Sequence, residues 1–137
     1  MKPTVQIISK FNLNAGSKVD NNSNDTSKAL KITEEEKPSI IFLEYEIAKN
    51  NTELFIKSLL NESPNSRVIL LGENLSDNTI LDCLLCGLYG YVDIKDINPL
   101  FSKVVKLVGH GEAWISRRLV GLFMEKFRDN HRYCPQS

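Results

Sequence analysis

Ile40-Ile41-Phe42-Leu43 runs without interruption into Glu44, and a second carboxylate, Glu46, follows two positions on. A strand that is apolar on both faces has to be covered on both faces. That places it inside a parallel sheet flanked by helices. Val68-Ile69-Leu70-Leu71 repeats the pattern. Open α/β sheets carry their ligand-binding and catalytic groups at the carboxyl ends of their strands, and Glu44 stands at such an end.

The punctuation around these strands is helical. Val5-Gln6-Ile7-Ile8 reads as a first strand. The polar stretch 10–26 contains Asn21-Asn22-Ser23-Asn24-Asp25, too little apolar surface for a packed element, and reads as a flexible loop. A short helix over 27–37 ends at Pro38. A second, over 51–60, places Leu54, Phe55 and Leu59 at helical spacing. Ser76 caps a helix running through Cys86, with Gly87 suited to the position after its end. Gly90-Tyr91-Val92 is a short strand. Asn98-Pro99 reads as an N-cap and first helical residue, opening a helix to about 108. Ser116 caps a last amphipathic helix with Leu119, Leu122, Phe123 and Phe127 on one face. Strands alternating with helices predict an α/β, doubly wound parallel sheet. The division that follows is a main domain over 1–113, a linker helix over 114–130 and a tail over 131–137.

Composition narrows the partners. In 137 residues, 17 Lys and Arg balance 17 Asp and Glu, so the chain has no global field with which to hold nucleic acid. Basic residues do gather towards the carboxyl end, at Lys103, Lys106, Arg117, Arg118, Lys126, Arg128 and Arg132, where a solvated helical face is the plain reading. No apolar run approaches the roughly 20 residues needed to span a bilayer, so no membrane partner is expected. Three cysteines, an odd number, argue against a disulfide framework. Together with an amino terminus that does not read as a signal peptide, they predict a cytoplasmic location.

The order of pieces from residue 38 onward is specific. Pro38-Ser39-Ile40-Ile41-Phe42-Leu43-Glu44 is followed by a helix, then by Pro64-Asn65-Ser66-Arg67-Val68-Ile69-Leu70-Leu71 and a helix ending Cys86-Gly87-Leu88-Tyr89-Gly90-Tyr91. Asp96-Ile97-Asn98-Pro99-Leu100 leads to the next helix, closed by Gly111-Glu112-Ala113-Trp114-Ile115-Ser116-Arg117. This order resembles the CheY-like receiver domain of bacterial response regulators, in particular the NarL/LuxR class. The resemblance implies a doubly wound, flavodoxin-like fold of five strands. It also implies a phosphoacceptor Asp ending the third strand, an acidic pair holding Mg²⁺ after the first, a hydroxyl residue ending the fourth and a Lys after the fifth. The metal offsets the charge of phosphate and carboxylate, while hydroxyl and Lys hold phosphoryl oxygens.

This sequence departs from that pattern at each place. Glu44 occupies the phosphoacceptor position, Ser9 and Lys10 the acidic pair, Gly72 the hydroxyl position and Ile94 the Lys position. Lys95 lies one step further, but the ungapped spacing from Gly90 to Gly111 keeps Ile94 in register. The expectation is a pseudo-receiver that is not an enzyme, has lost its Mg²⁺ site and needs no cofactor. It would serve as a phosphorylation-independent signalling and dimerisation module of a transcription regulator. A conventional phosphoacceptor receiver is an alternative.

The segment before Pro38 is short for a full helix-strand-helix, so the Asn-rich stretch is expected to replace the first helix and to shorten or replace the second strand. An edge or face left open in that way would be covered by a second copy, making a homodimer, or by another partner protein. The carboxyl end resembles the linker before a helix-turn-helix, so DNA would be reached only through a domain not present in this chain.

Other constellations carry weaker readings. Glu44 is one methylene longer than Asp and suits a mimic of the phosphorylated state, against simple drift at a dead site. Trp114-Ile115-Ser116-Arg117 resembles an element with which some LuxR-class regulators bind cyclic di-GMP. There the indole and guanidinium planes would stack on guanine and Arg would pair with phosphate. The plainer reading is a core-packing Trp and a capping Ser. Cys83-X-X-Cys86 with His131 and Cys134 has the residue types of a zinc site, but small buried residues at 83 and 86 account for the cysteines. His110 reads as a solvent-facing residue after a helix.

Overall fold

The computed structural model describes residues 3–10 and 19–130. Its centre is one five-stranded sheet, entirely parallel, with strand order β2-β1-β3-β4-β5. The strands are β1 Val5–Ile8, β2 Asn21–Ser23, β3 Ile40–Glu44, β4 Arg67–Gly72 and β5 Gly90–Asp93. β3 lies in the middle, and every one of its residues is buried, as a strand apolar on both faces requires.

The helices are α1 Thr26–Glu36, a short α2 Tyr45–Ala48, α3 Thr52–Glu62, α4 Asp77–Leu85, α5 Ile97–Gly109 and α6 Arg117–Asn130. Alternation along the strands divides the core. Ile41, Leu43, Val68 and Leu70 point to the face packed by α1, α3, α4 and α6. Ile40, Phe42, Ile69 and Leu71 point to the face packed by α5. On that second face Phe42 and Phe101 meet with ring centroids 5.0 Å apart.

Local chemistry sets the ends of these elements. Asp25 caps α1 by accepting from the Lys28 N–H at 3.1 Å, and Ser76 caps α4 by accepting from the Thr79 N–H at 3.2 Å. A buried polar exchange docks α1 on β1: Gln6 Nε2 donates to the Ala29 carbonyl at 3.0 Å, and Thr33 Oγ1 donates to Gln6 Oε1 at 2.8 Å. Buried amides tolerate such a place only when paired.

Five expectations need correction. β2 exists, inside the stretch expected to be loop, so the second strand is shortened rather than replaced. Its residues are polar because it is an edge strand held by backbone pairing to β1. Asp20 reinforces that edge: its carboxylate accepts from the Val5 N–H at 2.7 Å and its own N–H donates to the Val5 carbonyl at 2.8 Å. The sheet face beside β1 is not open either, since Val5 and Ile7 are each 1% exposed. α5 begins at Ile97 rather than after Asn98, which puts Pro99 inside the first turn, where its missing N–H costs nothing. Leu54 is 63% exposed, and the buried stripe of α3 is Thr52, Ile56 and Leu59. On α6, Leu119 is buried and Phe123 packs on the core, but Leu122 and Phe127 are exposed. Residues 11–18, the first part of the expected loop after Lys10, and the tail with His131 and Cys134 lie outside the described residues.

Candidate functional site

The carboxyl ends of β1, β3 and β4 meet at Glu44. Its side chain is buried, 2% exposed. The Ser9 hydroxyl donates to Glu44 Oε1 at 3.1 Å, and the Lys10 backbone N–H donates to the same oxygen at 2.9 Å. Two donors from the end of β1 therefore converge on one carboxylate oxygen at the end of the neighbouring strand. The parallel register of β1 and β3, Ile8 beside Leu43, brings them there.

Gly72 ends β4 with no room for a side chain. A Cβ there would lie 2.4 Å from Leu75 Cδ1 and 2.5 Å from its Cγ. Leu75 thus occupies the space a hydroxyl-bearing side chain at 72 would need. The Gly72 carbonyl accepts from the Ile94 N–H at 2.9 Å and from the Tyr91 hydroxyl at 3.1 Å. Burial, followed by the charge of Asp93, pushes the Tyr91 phenol above its ordinary value, so it stays protonated and able to donate. Lys95 is exposed in the turn after Asp93, its backbone N–H bonded to Asp93 Oδ1 at 3.1 Å. Of the five positions singled out in the sequence, Ser9, Lys10 and Glu44 are thus brought together, and Gly72 and Ile94 are joined through the backbone.

A second feature lies at the other edge of the sheet. A groove of about 750 Å³ runs between β5, α4, α5 and the start of α6. Trp114 and Ser116 line it, whereas Arg117 does not. Ser116 also accepts from the Leu119 N–H at 3.2 Å and so caps α6. The guanidinium at the groove belongs to Arg118, and both its terminal nitrogens engage the Asp77 carboxylate, Nη2 to Oδ1 at 3.1 Å. That hydrogen bond holds the Asp77 carboxyl below its ordinary range and raises Arg118. Lys126 pairs with Asp82 at 2.7 Å, so two ion pairs fasten α6 along α4. Nothing in the sequence singled out these pairs. Their only trace is the matching order of Asp77 and Asp82 on α4 with Arg118 and Lys126 on α6.

The cysteines sit where burial dominates. Cys83 is buried and its thiol is pushed up to about 12, while Cys86 is half-buried and also raised, both chiefly by desolvation. Among the described residues no group of His, Cys, Asp or Glu is arranged to hold a metal ion. No described helix is long and apolar enough to cross a membrane. His110 is exposed at the end of α5.

No family model matches the sequence. The chain is 31% identical over 93 residues to the DNA-binding transcriptional activator DevR/DosR of Mycobacterium tuberculosis, a match covering 67% of this chain and 42% of that protein. The chain therefore spans less than half the length of this relative. Among solved structures it is similar to a LuxR-family two-component response regulator from an Aurantimonas species, with a TM-score of 0.74 at 11% identity over 92% of this chain and 98% of the other. The isolated REC domain of RcsB from Salmonella enterica serovar Typhimurium, in its apo form, gives 0.74 at 13% identity over 90% and 98%. At such identities the likeness is one of fold.

Proposed function

We propose, for a chain that folds as a response-regulator receiver domain with LuxR/NarL-family structural neighbours, a signalling role in a transcription regulator that does not pass through phosphorylation. One observation carries this reading: the end of β1 presents donors to Glu44, not ligands to a cation. A receiver that takes phosphate needs several carboxylates around Mg²⁺ and groups that hold the phosphoryl oxygens. Here Ser9 and the Lys10 amide turn their hydrogens on the Glu44 carboxylate. Leu75 fills the space beside Gly72, and Ile94 supplies an alkyl side chain. These residues do not fit Mg²⁺.

The module is regulatory rather than enzymatic, and acts in the cytoplasm. It works by contact, through a second copy or a partner protein on its last helices, where Val120, Met124 and Phe127 of α6 stand exposed. DNA is reached through a separate domain, as the name and greater length of the mycobacterial relative suggest. The test is intact mass and sedimentation of the chain with acetyl phosphate and Mg²⁺. The expected result is no phosphoryl adduct and no change in association. An adduct removed by Glu44→Gln would overturn the proposal.

A further inference from the structure

β5 is the last strand of the sheet, and its outer edge is only half closed. Trp114 closes the first part: its N–H donates to the Tyr89 carbonyl at 3.1 Å, and its carbonyl accepts from the Tyr91 N–H at 3.0 Å. This single parallel bridge lies opposite Gly90. Glycine permits it, since a Cβ at 90 would sit 2.5 Å from the Trp114 carbonyl oxygen. The chain then turns away into α6. Strand alternation directs the Tyr91 carbonyl and the Asp93 N–H outward, away from β4. Neither has a hydrogen-bond partner among the described residues.

The 750 Å³ groove lies beside these two groups. Leu75, Leu100, Leu107 and Ile115 form apolar walls among its polar residues. Its charge is one-sided. Arg118, the only cation in the lining, is already held by Asp77, which leaves Asp93 and Asp96 facing the groove without a side-chain cation. A nucleotide would set its phosphates against those carboxylates and leave the two backbone groups unused.

We propose that this groove takes an extended, basic segment of a partner protein, added beside β5 as a further strand. Its backbone continues the ladder that Trp114 begins, donating to the Tyr91 carbonyl and accepting from the Asp93 N–H. Because side chains alternate along a strand, one set enters the apolar walls while Lys or Arg of the other set reaches Asp96 and Asp93. The partner signature is therefore a short run alternating aliphatic and basic residues. Trp114, at the head of the groove, offers an indole face to one of the cations.

The test is an NMR titration of the full, ¹⁵N-labelled chain with an octapeptide alternating Val and Arg. A Val/Glu octapeptide serves as control. The expected result is a shift and slowed exchange of the Asp93 amide with the basic peptide alone. Affinity should fall roughly tenfold in Asp96→Lys and less in Asp96→Asn. Asp96 makes no side-chain cap bond to α5, so both variants should keep the fold. Three results overturn the proposal: no perturbation of β5 at about 1 mM peptide, equal binding of the acidic peptide, or shifts confined to the Val120–Phe127 face of α6. A concentration-dependent Asp93 shift without peptide overturns it too, because the groove would then hold a second copy.

Discussion

The Lys10 backbone N–H donates to Glu44 Oε1 across 2.9 Å and ties the end of β1 to the end of β3. Because the donor belongs to the main chain, no substitution at position 10 other than proline removes it. The carboxylate side of the bond is the mutable one.

Glu44→Gln keeps an oxygen that can accept from both Ser9 and Lys10, so stability should change by less than about 1 kcal/mol. Glu44→Ala leaves two donors facing a buried cavity and should cost about 1–3 kcal/mol. Glu44→Asp retracts the oxygens by one methylene and should fall between them. Urea denaturation of the three variants checks this order. Equal midpoints for Gln and Ala would show that the bonds contribute nothing.

Restoring a hydroxyl at the end of β4 should fail as a single change. Gly72→Thr drives its Cβ into Leu75 and should destabilise by about 1–3 kcal/mol, the usual penalty for overpacking. With Leu75→Ala in the same chain, part of that cost should return as a favourable coupling in a double-mutant cycle. Additive effects would mean that Leu75 moves aside freely.

The Arg118–Asp77 pair helps to hold the start of α6 against α4, beside the packing of Leu119 and Phe123. The Asp77 carboxyl is depressed below 3.8 by the hydrogen bond from Arg118. A depressed carboxyl stabilises the docked helix at every pH above its unfolded value. That contribution is lost as pH falls through the lower folded value. Hydrogen exchange in α6 should thus be insensitive to the pair's titration from pH 5 to 8, and α6 protection should drop below about pH 4. Asp77→Asn should loosen α6 at neutral pH while sparing β3 and β4. Because both partners are solvent-facing, added salt should act in the same direction.

Burial holds the Cys83 thiol in its unreactive form, pushed up to about 12. Alkylation by iodoacetamide at pH 8 should therefore leave Cys83 unmodified in the folded chain, with Cys86 slow but faster, as its half-burial implies. Both cysteines lie in one tryptic peptide, residues 68–95, so fragment-ion mass spectrometry of that peptide distinguishes the two. Rapid labelling of Cys83 would show that α4 opens away from the core.

The sequence disclosed the sheet where burial leaves a compositional mark. β3 and β4 are continuous apolar runs because helices cover both faces, and Glu44 was legible as the point where such a run stops. β2 left no mark, because Asn21–Ser23 is held to β1 by main-chain bonds that any side chain allows. The start of α5 misled because Asn98-Pro99 imitates a cap, while Asp96 occupies the N-cap position without a side-chain bond. Local spacing did not distinguish Leu54 from Ile56, since the angle at which α3 meets the sheet decides which stripe is covered. The pairs joining α6 to α4 were hidden for another reason: each links residues about 40 positions apart, beyond the reach of any local pattern.

Leu75 also gives the carboxyl end of the sheet a direction in sequence space. With its methyls already beside Gly72, a substitution that adds a side chain there is penalised before it can confer any benefit, whereas trimming Leu75 first opens the way. The order of substitutions then matters as much as their identity. A lineage carrying this leucine is held in its present chemistry by sterics, even where selection would reward a change.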